Sequence, residues 1–262
     1  MLYFPQLVSG AVGQYPVSKN LIQRTITNTL PDGSVVKYAD PGAPFVQWTL
    51  QFQGLADSEV ALLQQFFVTC EGQLSAFTFT DPLGNLLLWS EDLTQPSWEK
   101  STLLQLTTGA SDPNGGTSAT LITNPTGADL SVQQSISAPG WYCYCFSAYL
   151  QSQTPVNVSL ERQTGGITST SQCTTGGSWQ RASLSGQTNT TADTVTVGVT
   201  VPAGKAVSVF GFQLEAQPAM SPYKPSFETG GVYTNAHFSG DALAVTTMAP
   251  NRNQCTLAIT AH

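Results

Sequence analysis

The stretch Asp81–Asp92 (DPLGNLLLWSED) marks the point at which the chain changes character. Its first residues, Asp81-Pro82-Leu83-Gly84-Asn85, have the composition of a hairpin loop, after which a partner strand should return at once. Instead, a long segment rich in Ser, Thr and Gly follows. Strands with the alternation of apolar and polar residues seen in the first segment return only near the C-terminus. Exposed hairpin tips tolerate the insertion of whole domains. The sequence therefore predicts one all-β domain that is interrupted by a second.

Strand patterns dominate the outer segments on both sides of the insertion. Alternation of apolar and polar residues predicts strands over Ile22–Leu30, Val35–Tyr38, Phe45–Phe52, Ala76–Thr80, Asp241–Thr247 and Cys255–Thr260. One helix is predicted, because Asp57 or Ser58 can cap it and Glu59 lies in its first turn. Apolar residues then recur at helical spacing, at Val60, Leu63, Phe66, Phe67 and Cys70. The last two strands are expected to complete the sheet that the first segment leaves unfinished.

The segment from Leu87 to Phe227 predicts a helix-free β-sandwich, because many short Thr-rich strands alternate with turn residues. The predicted strands are Leu103–Thr107, Ala119–Ile122, Ser131–Ser137, Tyr142–Gln151, Val156–Arg162, Ile167–Thr170, Gln180–Ser185, Thr194–Val201 and Val207–Ala216. The predicted domains are residues 1–86 with 228–262, and the inserted residues 87–227. The fold class is all-β with one helix: a sandwich- or barrel-like outer domain interrupted by an inserted β-sandwich.

Charge and hydropathy exclude several kinds of partner. Only 10% of the residues are charged, and the formal net charge is −7. The nine Lys and Arg residues are scattered singly, so no basic patch exists for nucleic acid. No apolar run approaches the roughly 20 residues that cross a bilayer, and the N-terminus lacks the features of a signal peptide. We expect synthesis in the cytosol without an export signal, and no membrane insertion.

The sequence contains few candidate residues for catalytic or redox chemistry. The five cysteines form an odd set without paired metal-ligand spacing, and we interpret them as small buried or half-buried apolar residues. The two histidines are His237 and the C-terminal His262, and a Ser-His-Asp arrangement would have to depend on His237. Glycoside hydrolysis needs two acids across one bond, and no pattern here places two in one cleft. The sequence predicts no enzyme and no catalytic residue.

Four motifs of the inserted segment occur in a recognisable order. They are NLLLWSEDL followed by Trp98, then CFSAYL, then WQRASLSG, and finally FGFQLEAQPAMSPYKPS. Together they resemble the jelly-roll sandwiches of carbohydrate-binding modules in phage tail proteins. In the outer segments, FPQLVSGAVGQYP, Trp48, GLADSEVALLQQFF and FTFTDPLGN resemble phage distal tail proteins.

These resemblances imply a structural role in a virion. A distal tail-like protein would form a homo-oligomeric ring, usually hexameric, that joins tail tube to hub in the tail tip or baseplate. The inserted jelly roll would project outward and bind host cell-surface glycans. The alternative is a stand-alone glycan-binding adhesin or tail-fibre protein without ring assembly. The implied location is the virion tail, assembled in the host cytoplasm.

Carboxylates at the start and end of the inserted segment are candidate calcium ligands. Glu91 or Asp92 could lie near Glu215 if the first and last strands pair, and calcium prefers such hard oxygen ligands. Modules that this segment resembles sometimes hold a structural calcium at such a position. No cofactor is required by this interpretation. In the alternative, the three carboxylates cap turns and accept backbone hydrogen bonds.

A shallow glycan groove is the second candidate site. In the strand ending at Gln151, Tyr144, Phe146 and Leu150 share the predicted core face, which leaves Tyr149 and Gln151 opposite. Candidate groove residues are Tyr149, Gln151, Gln133, Arg162 and Gln213. The alternative is that they are ordinary polar surface. Trp48, Trp98 and Trp179 stand where alternation predicts core residues.

Overall fold

The computed structural model describes residues 1–42 and 45–261, so His262 lies outside the described residues. The fold is all-β with one helix, as predicted. The outer strands are β1 (Val17–Ile22), β2 (Thr25–Thr29), β3 (Val35–Ala39), β4 (Phe45–Leu55) and β5 (Phe77–Thr80), with helix α1 (Asp57–Thr69) between the last two. The middle strands are β6 (Glu99–Lys100), β7 (Gln105–Ala110), β8 (Ala119–Thr123), β9 (Leu130–Ile136), β10 (Tyr144–Gln151), β11 (Val156–Thr164), β12 (Ile167–Thr175), β13 (Gln180–Gly186), β14 (Val195–Val201) and β15 (Ala206–Glu215). The last are β16 (Val232–Phe238), β17 (Val245–Ala249) and β18 (Arg252–Ala261).

The chain divides into two compact units. The first comprises Met1–Val8, Gly13–Phe79 and Tyr233–His262, and the second comprises Ser9–Val12 and Thr80–Val232. The domain limits drawn from the sequence, 1–86 with 228–262 and 87–227, stay a prediction. In the part of the chain that is described, α1 is too short and too polar to span a membrane.

The first unit is built on a sheet with the order β1-β4-β18-β16-β5, to which β17 adds by pairing with β18. The long pairing of β4 with β18 runs antiparallel from Val46↔Ala261 to Leu55↔Asn253. Strands from the two ends of the chain therefore share one sheet, which confirms the expected interruption of one β-fold by another.

Aromatic side chains fill the core of the first unit. Phe4 packs edge-on against Phe66 of α1 and Phe79 of β5, with ring centroids 5.8 and 5.5 Å apart. Trp48 is fully buried, 5.0 Å from the Phe79 ring. The core prediction for Trp48 is confirmed, and α1 lies on the sheet through the apolar face that its periodicity indicated.

Three predictions for the first unit are wrong in detail. The single strand Ile22–Leu30 is broken between Ile22 and Thr25, because β1 pairs with β4 whereas β2 pairs with β3. The helix cap is Ala56, whose backbone N–H donates to Glu59 Oε2 at 3.0 Å. Asp241 lies before β17 rather than in a strand, and its carboxylate accepts the Gln73 backbone N–H at 3.0 Å.

The second unit contains two five-stranded antiparallel sheets, with orders β13-β10-β15-β8-β7 and β12-β11-β14-β9-β6. Their buried side chains include Phe146, Leu150, Leu160 and Val197, which form the core of a β-sandwich. Trp98 is buried there, as predicted, but Trp179 is only half-buried. All five cysteines are free and buried or half-buried, which confirms their interpretation.

Asn85 ties the start of the sandwich to its last strand. This amide is 3% exposed, and its Nδ2 donates to the carbonyl oxygens of Phe212 at 2.8 Å and Lys224 at 3.2 Å. Its Oδ1 accepts the backbone N–H groups of Leu214 at 3.1 Å and Leu87 at 3.2 Å. One side chain therefore satisfies four backbone groups where the chain enters and leaves the sandwich.

Replacing Asn85 with alanine should lower the free energy of unfolding by about 2–4 kcal/mol, because buried backbone groups lose their partners. Chemical denaturation of the full chain measures this loss. Asn189→Ala is the matched control, since Asn189 is exposed. Equal stability of the two variants would contradict this role for Asn85.

Candidate functional site

The five residues predicted to form a glycan groove do not share one surface. Tyr149 and Gln151 lie on β10 and Gln213 on β15, whereas Gln133 belongs to β9 in the other sheet and hydrogen-bonds Glu99. Arg162 on β11 is 3% exposed, and its guanidinium donates to Gly186 O and Thr188 Oγ1. Arg162 alternates in phase with the core residues of β11, which is why it points inward.

The chain itself covers the face that carries Tyr149 and Gln213. Gln213 is fully buried, and its Oε1 accepts the Lys224 backbone N–H at 2.6 Å. The Tyr223 ring lies 5.3 Å from Phe210 and 6.3 Å from Tyr149. The segment 217–227, which we call the covering segment, therefore occupies the predicted groove. Sequence alternation identified the face correctly but could not show what covers it.

The three carboxylates proposed for calcium have separate partners. Glu215 accepts the Ser221 backbone N–H at 3.0 Å and the Lys224 ammonium at 3.1 Å. Asp92 binds Thr94 and Gln95, and Glu91 binds Tyr223. Within residues 1–42 and 45–261, no group of three or more His, Cys, Asp and Glu side chains is arranged to hold a metal ion. These residues do not fit a calcium cage, and calcium stays a sequence-based prediction.

Glu215 should make the sandwich sensitive to acid. Burial raises the pKa of Glu215, but hydrogen bonds from Ser221 and Gln213 and the charge of Lys224 outweigh burial and lower it below 4.5. Its stabilisation is thus present above pH 4.5 and is lost as the pH falls through the lowered pKa. We expect the difference in unfolding free energy between wild type and Glu215→Gln to shrink on acidification, measured by urea denaturation across pH. A difference that persists unchanged, or one reproduced by exposed Glu228→Gln, would contradict this role.

A cavity of about 440 Å³ lies elsewhere on the sandwich, beside β7 and β8. Its walls include two aromatic residues, two carboxylates and several hydroxyl groups, namely Trp89, Phe227, Glu91, Asp92, Thr108, Thr120 and Ser226. It therefore brings together Glu91 and Asp92, which the sequence singled out as metal ligands, but not Glu215.

The backbone holds Trp89 in an unusual conformation at this cavity. Its φ is 49°, a left-handed value that is uncommon for a residue with a side chain. Its N–H donates to Phe227 O at 2.9 Å, and its carbonyl oxygen accepts the Trp98 indole N–H at 3.0 Å. Phe227 is 62% exposed. Within the described residues, the rings of Trp89 and Phe227 stack on no other aromatic ring, and both line the cavity.

The two carboxylates differ in how much of their hydrogen-bonding capacity is used. Asp92 Oδ1 accepts the Thr94 N–H at 3.0 Å, and Oδ2 accepts the Gln95 amide at 2.7 Å. Hydrogen bonds from Thr94 lower the pKa of Asp92, with smaller contributions from Gln95 and Lys100, so it is ionised at neutral pH. Glu91 Oε1 accepts the Tyr223 hydroxyl at 3.0 Å. Glu91 Oε2 has no hydrogen-bond partner among the described residues.

The opposite wall is positioned by a compact loop and a bulge. Asp112 is 8% exposed and accepts backbone N–H groups from Asn114 at 2.8 Å, Gly116 at 3.0 Å and Ser118 at 3.1 Å. Thr108 and Thr120 are directly paired across β7 and β8. The next residue, Gly109, has a φ of 83° and lies at a β-bulge between Thr108 and Ala110. A bulge bends its strand, here beside the cavity.

Sequence reasoning missed the aromatic part of this cavity. It noted Glu91 and Asp92 for metal binding and gave Trp89 and Phe227 no role. A signal was present, because Trp89 follows the unbroken apolar run Leu86-Leu87-Leu88 and so has no position in an alternating core pattern. The predicted insertion at residues 87–227 places its two ends close together, but it did not indicate that the rings of Trp89 and Phe227 would line one cavity.

Comparisons with known proteins give similarity at the level of structure. No protein-family model and no curated protein matches the chain. A xylan-binding domain from carbohydrate-binding module family 22 is 15% identical with a TM-score of 0.44, over 53% of this chain and 99% of that one. The module TmCBM61, solved with beta-1,4-galactotriose, is 17% identical with a TM-score of 0.39. The similarity covers 50% of this chain and 97% of that module.

One similar structure comes from a phage. The enzymatically active domain of bacteriophage CBA120 tailspike protein 4 is 11% identical with a TM-score of 0.41. The similarity covers 50% of this chain and 21% of that one. At these identities and TM-scores, none of the similarities carries an argument about a ligand, a particle or a reaction of this chain.

Proposed function

We propose that the protein is a non-enzymatic structural component of a phage tail tip or baseplate, a distal tail-like ring protein, whose sandwich binds host surface glycans. The cavity of the second unit carries the glycan part of this proposal. A surface of the first unit supports assembly with further copies, and tail tube and hub proteins are the other expected partners.

The cavity has the chemistry that saccharides need. Sugar rings present apolar C–H faces that pack on aromatic rings, and hydroxyl groups that need hydrogen-bond partners. Trp89 and Phe227 supply the unstacked rings, and Glu91 Oε2 supplies a free acceptor. Ligand sites generally combine apolar walls with a few placed polar groups, as this cavity does.

The hairpin of β2 and β3 supports assembly. Residues that pair directly share a face, so Ile26 and Tyr38 lie side by side, with Leu30 continuing the same face. Their side chains are 42%, 55% and 44% exposed, respectively. An isolated two-stranded hairpin is marginally stable in water, and an uncovered apolar face on one favours a protein contact.

A second copy of the chain is the partner that we propose for this face. Helix α1 of the same unit also exposes apolar side chains, with Leu62 42% and Val68 73% exposed. A contact between the hairpin of one copy and α1 of the next would cover both surfaces at once. Such head-to-tail contacts generate closed rings when the rotation closes.

Two other functions give different results in simple assays. A stand-alone adhesin or tail-fibre protein without ring assembly would bind glycans but would not self-associate through the hairpin. A hydrolase would release reducing ends from a bound polysaccharide. His237 Nδ1 lies 3.1 Å from the Gln73 carbonyl oxygen, and among the described residues no Ser or Asp side chain hydrogen-bonds this ring, as a Ser-His-Asp arrangement would need.

Binding of the labelled full-length chain to a glycan array tests the glycan part. We expect signal on a subset of saccharides, with no release of reducing ends from the bound ones. Absence of signal on bacterial surface glycans and plant oligosaccharides alike would contradict the proposal.

A further inference from the structure

We propose that the Trp89 cavity selects saccharides by charge, binding amino sugars with a free ammonium group and neutral sugars in preference to acidic sugars. This inference rests on the proposed glycan binding and names the class of glycan. Uronic, sialic and sulfated sugars are the class that the cavity should reject.

The charges of the cavity wall carry the inference. Glu91 and Asp92 both line the cavity, and none of its lining residues is Lys, Arg or His. The hydrogen bonds of Asp92 keep it ionised at neutral pH. Recognition of an acidic sugar normally uses an Arg or Lys partner, whereas the charged side chains that line this cavity are both carboxylates, and Lys100, which acts on Asp92, is not part of the lining.

Unused polar groups show where a ligand would be held. Glu91 Oε2 is a free acceptor that suits a sugar hydroxyl or an ammonium group. Thr120 also lines the cavity, at 1% exposure. Ser226 lies in the same wall, and its Oγ is buried without a partner in that part of the chain. Buried polar groups without partners are rare in folded proteins, so these positions favour contact with a polar ligand.

The position of the aromatic rings orients the ligand relative to the charges. Trp89 and Glu91 are two residues apart, and Phe227 is joined to Trp89 by the backbone hydrogen bond of 2.9 Å. A sugar ring packed on these side chains would therefore present its edge substituents near Glu91. An acidic substituent there would lose its water and meet a carboxylate, whereas an ammonium group would gain a partner.

Three immobilised oligosaccharide sets at equal density test the selectivity: glucosamine oligomers, neutral gluco-, galacto-, manno- and xylo-oligomers, and galacturonate and sialyl oligomers. We expect the acidic set to bind at least about tenfold more weakly than the best neutral member at low salt, as like-charge contacts of about 1.4 kcal/mol imply. The difference in affinity between the neutral and the acidic set should become smaller at high salt, because salt screens the repulsion between like charges.

The variant Glu91→Gln should reduce the ratio of neutral-set affinity to acidic-set affinity by several fold. Glu99→Gln is the matched control, because Glu99 lies on β6 outside the cavity. Acidic oligomers that bind as well as neutral ones, or a ratio that Glu91→Gln leaves unchanged, would overturn the inference while leaving glycan binding intact. If none of the three sets binds, the proposed glycan binding itself fails.

Discussion

The variant Trp89→Ala is expected to weaken saccharide binding by about thirtyfold or more, because a buried tryptophan contact typically contributes at least about 2 kcal/mol to binding. The indole of Trp89 is half-buried in the cavity wall and packs on no other aromatic ring within the described residues. Its removal should therefore take away an aromatic surface of the cavity, and the melting temperature of the variant measures any loss of packing. Isothermal titration of the full chain with a saccharide selected on the array measures the change.

Trp179→Ala is the matched control for this experiment, since Trp179 is also half-buried but lies outside the cavity. It should keep the wild-type affinity. A second variant, Phe227→Ala, removes the other ring from an exposed position and should also weaken binding. Affinity that survives both Trp89→Ala and Phe227→Ala, with melting temperatures near wild type, would move the saccharide site away from this cavity.

The variant Ile26→Asp is expected to convert the self-associated protein to monomers. A carboxylate at this position would be buried without a partner in an apolar contact, which weakens association by more than about thirtyfold. Ile26 is exposed in a single copy, so the fold of the first unit should not change. Sedimentation velocity of wild type and variant at matched concentrations measures the loss.

Thr27→Asp provides the control on the opposite face of the same hairpin, where Thr27 pairs with Lys37. This variant adds the same charge without touching the apolar face, and it should associate as the wild type does. Dissociation by both variants would indicate a general charge effect. If Ile26→Asp associates as strongly as the wild type, the hairpin is not part of the interface.

Much of the architecture could be predicted because it depends on local patterns. The alternation in Phe45–Phe52 and Cys255–Thr260 identified strands that pair in one sheet, although about 200 residues separate them. The apolar spacing from Val60 to Phe67 identified α1. Short strands with weaker alternation, such as β1 and β16, were missed, because their side chains are mostly exposed or half-buried and carry little apolar periodicity.

The candidate site was less predictable, since it depends on contacts between distant residues. Glu91 and Asp92 could be recognised as carboxylates at the start of the sandwich, but their neighbours Thr108, Thr120 and Phe227 arrive from other parts of the chain. Gln213 lies on the sheet face predicted for the groove, but the covering segment packs on that face and buries Gln213. Alternation reports which way a side chain points and carries no information about what lies above it.

The proposed role as a self-assembling tail component is tested most directly by the mass of the full-length protein in solution. Mass photometry should find a closed oligomer of fixed copy number, alone or on tail-tube particles, and Ile26→Asp should abolish it. Monomers at every concentration, both alone and with tail-tube particles, would contradict the account and leave a stand-alone glycan-binding protein in its place.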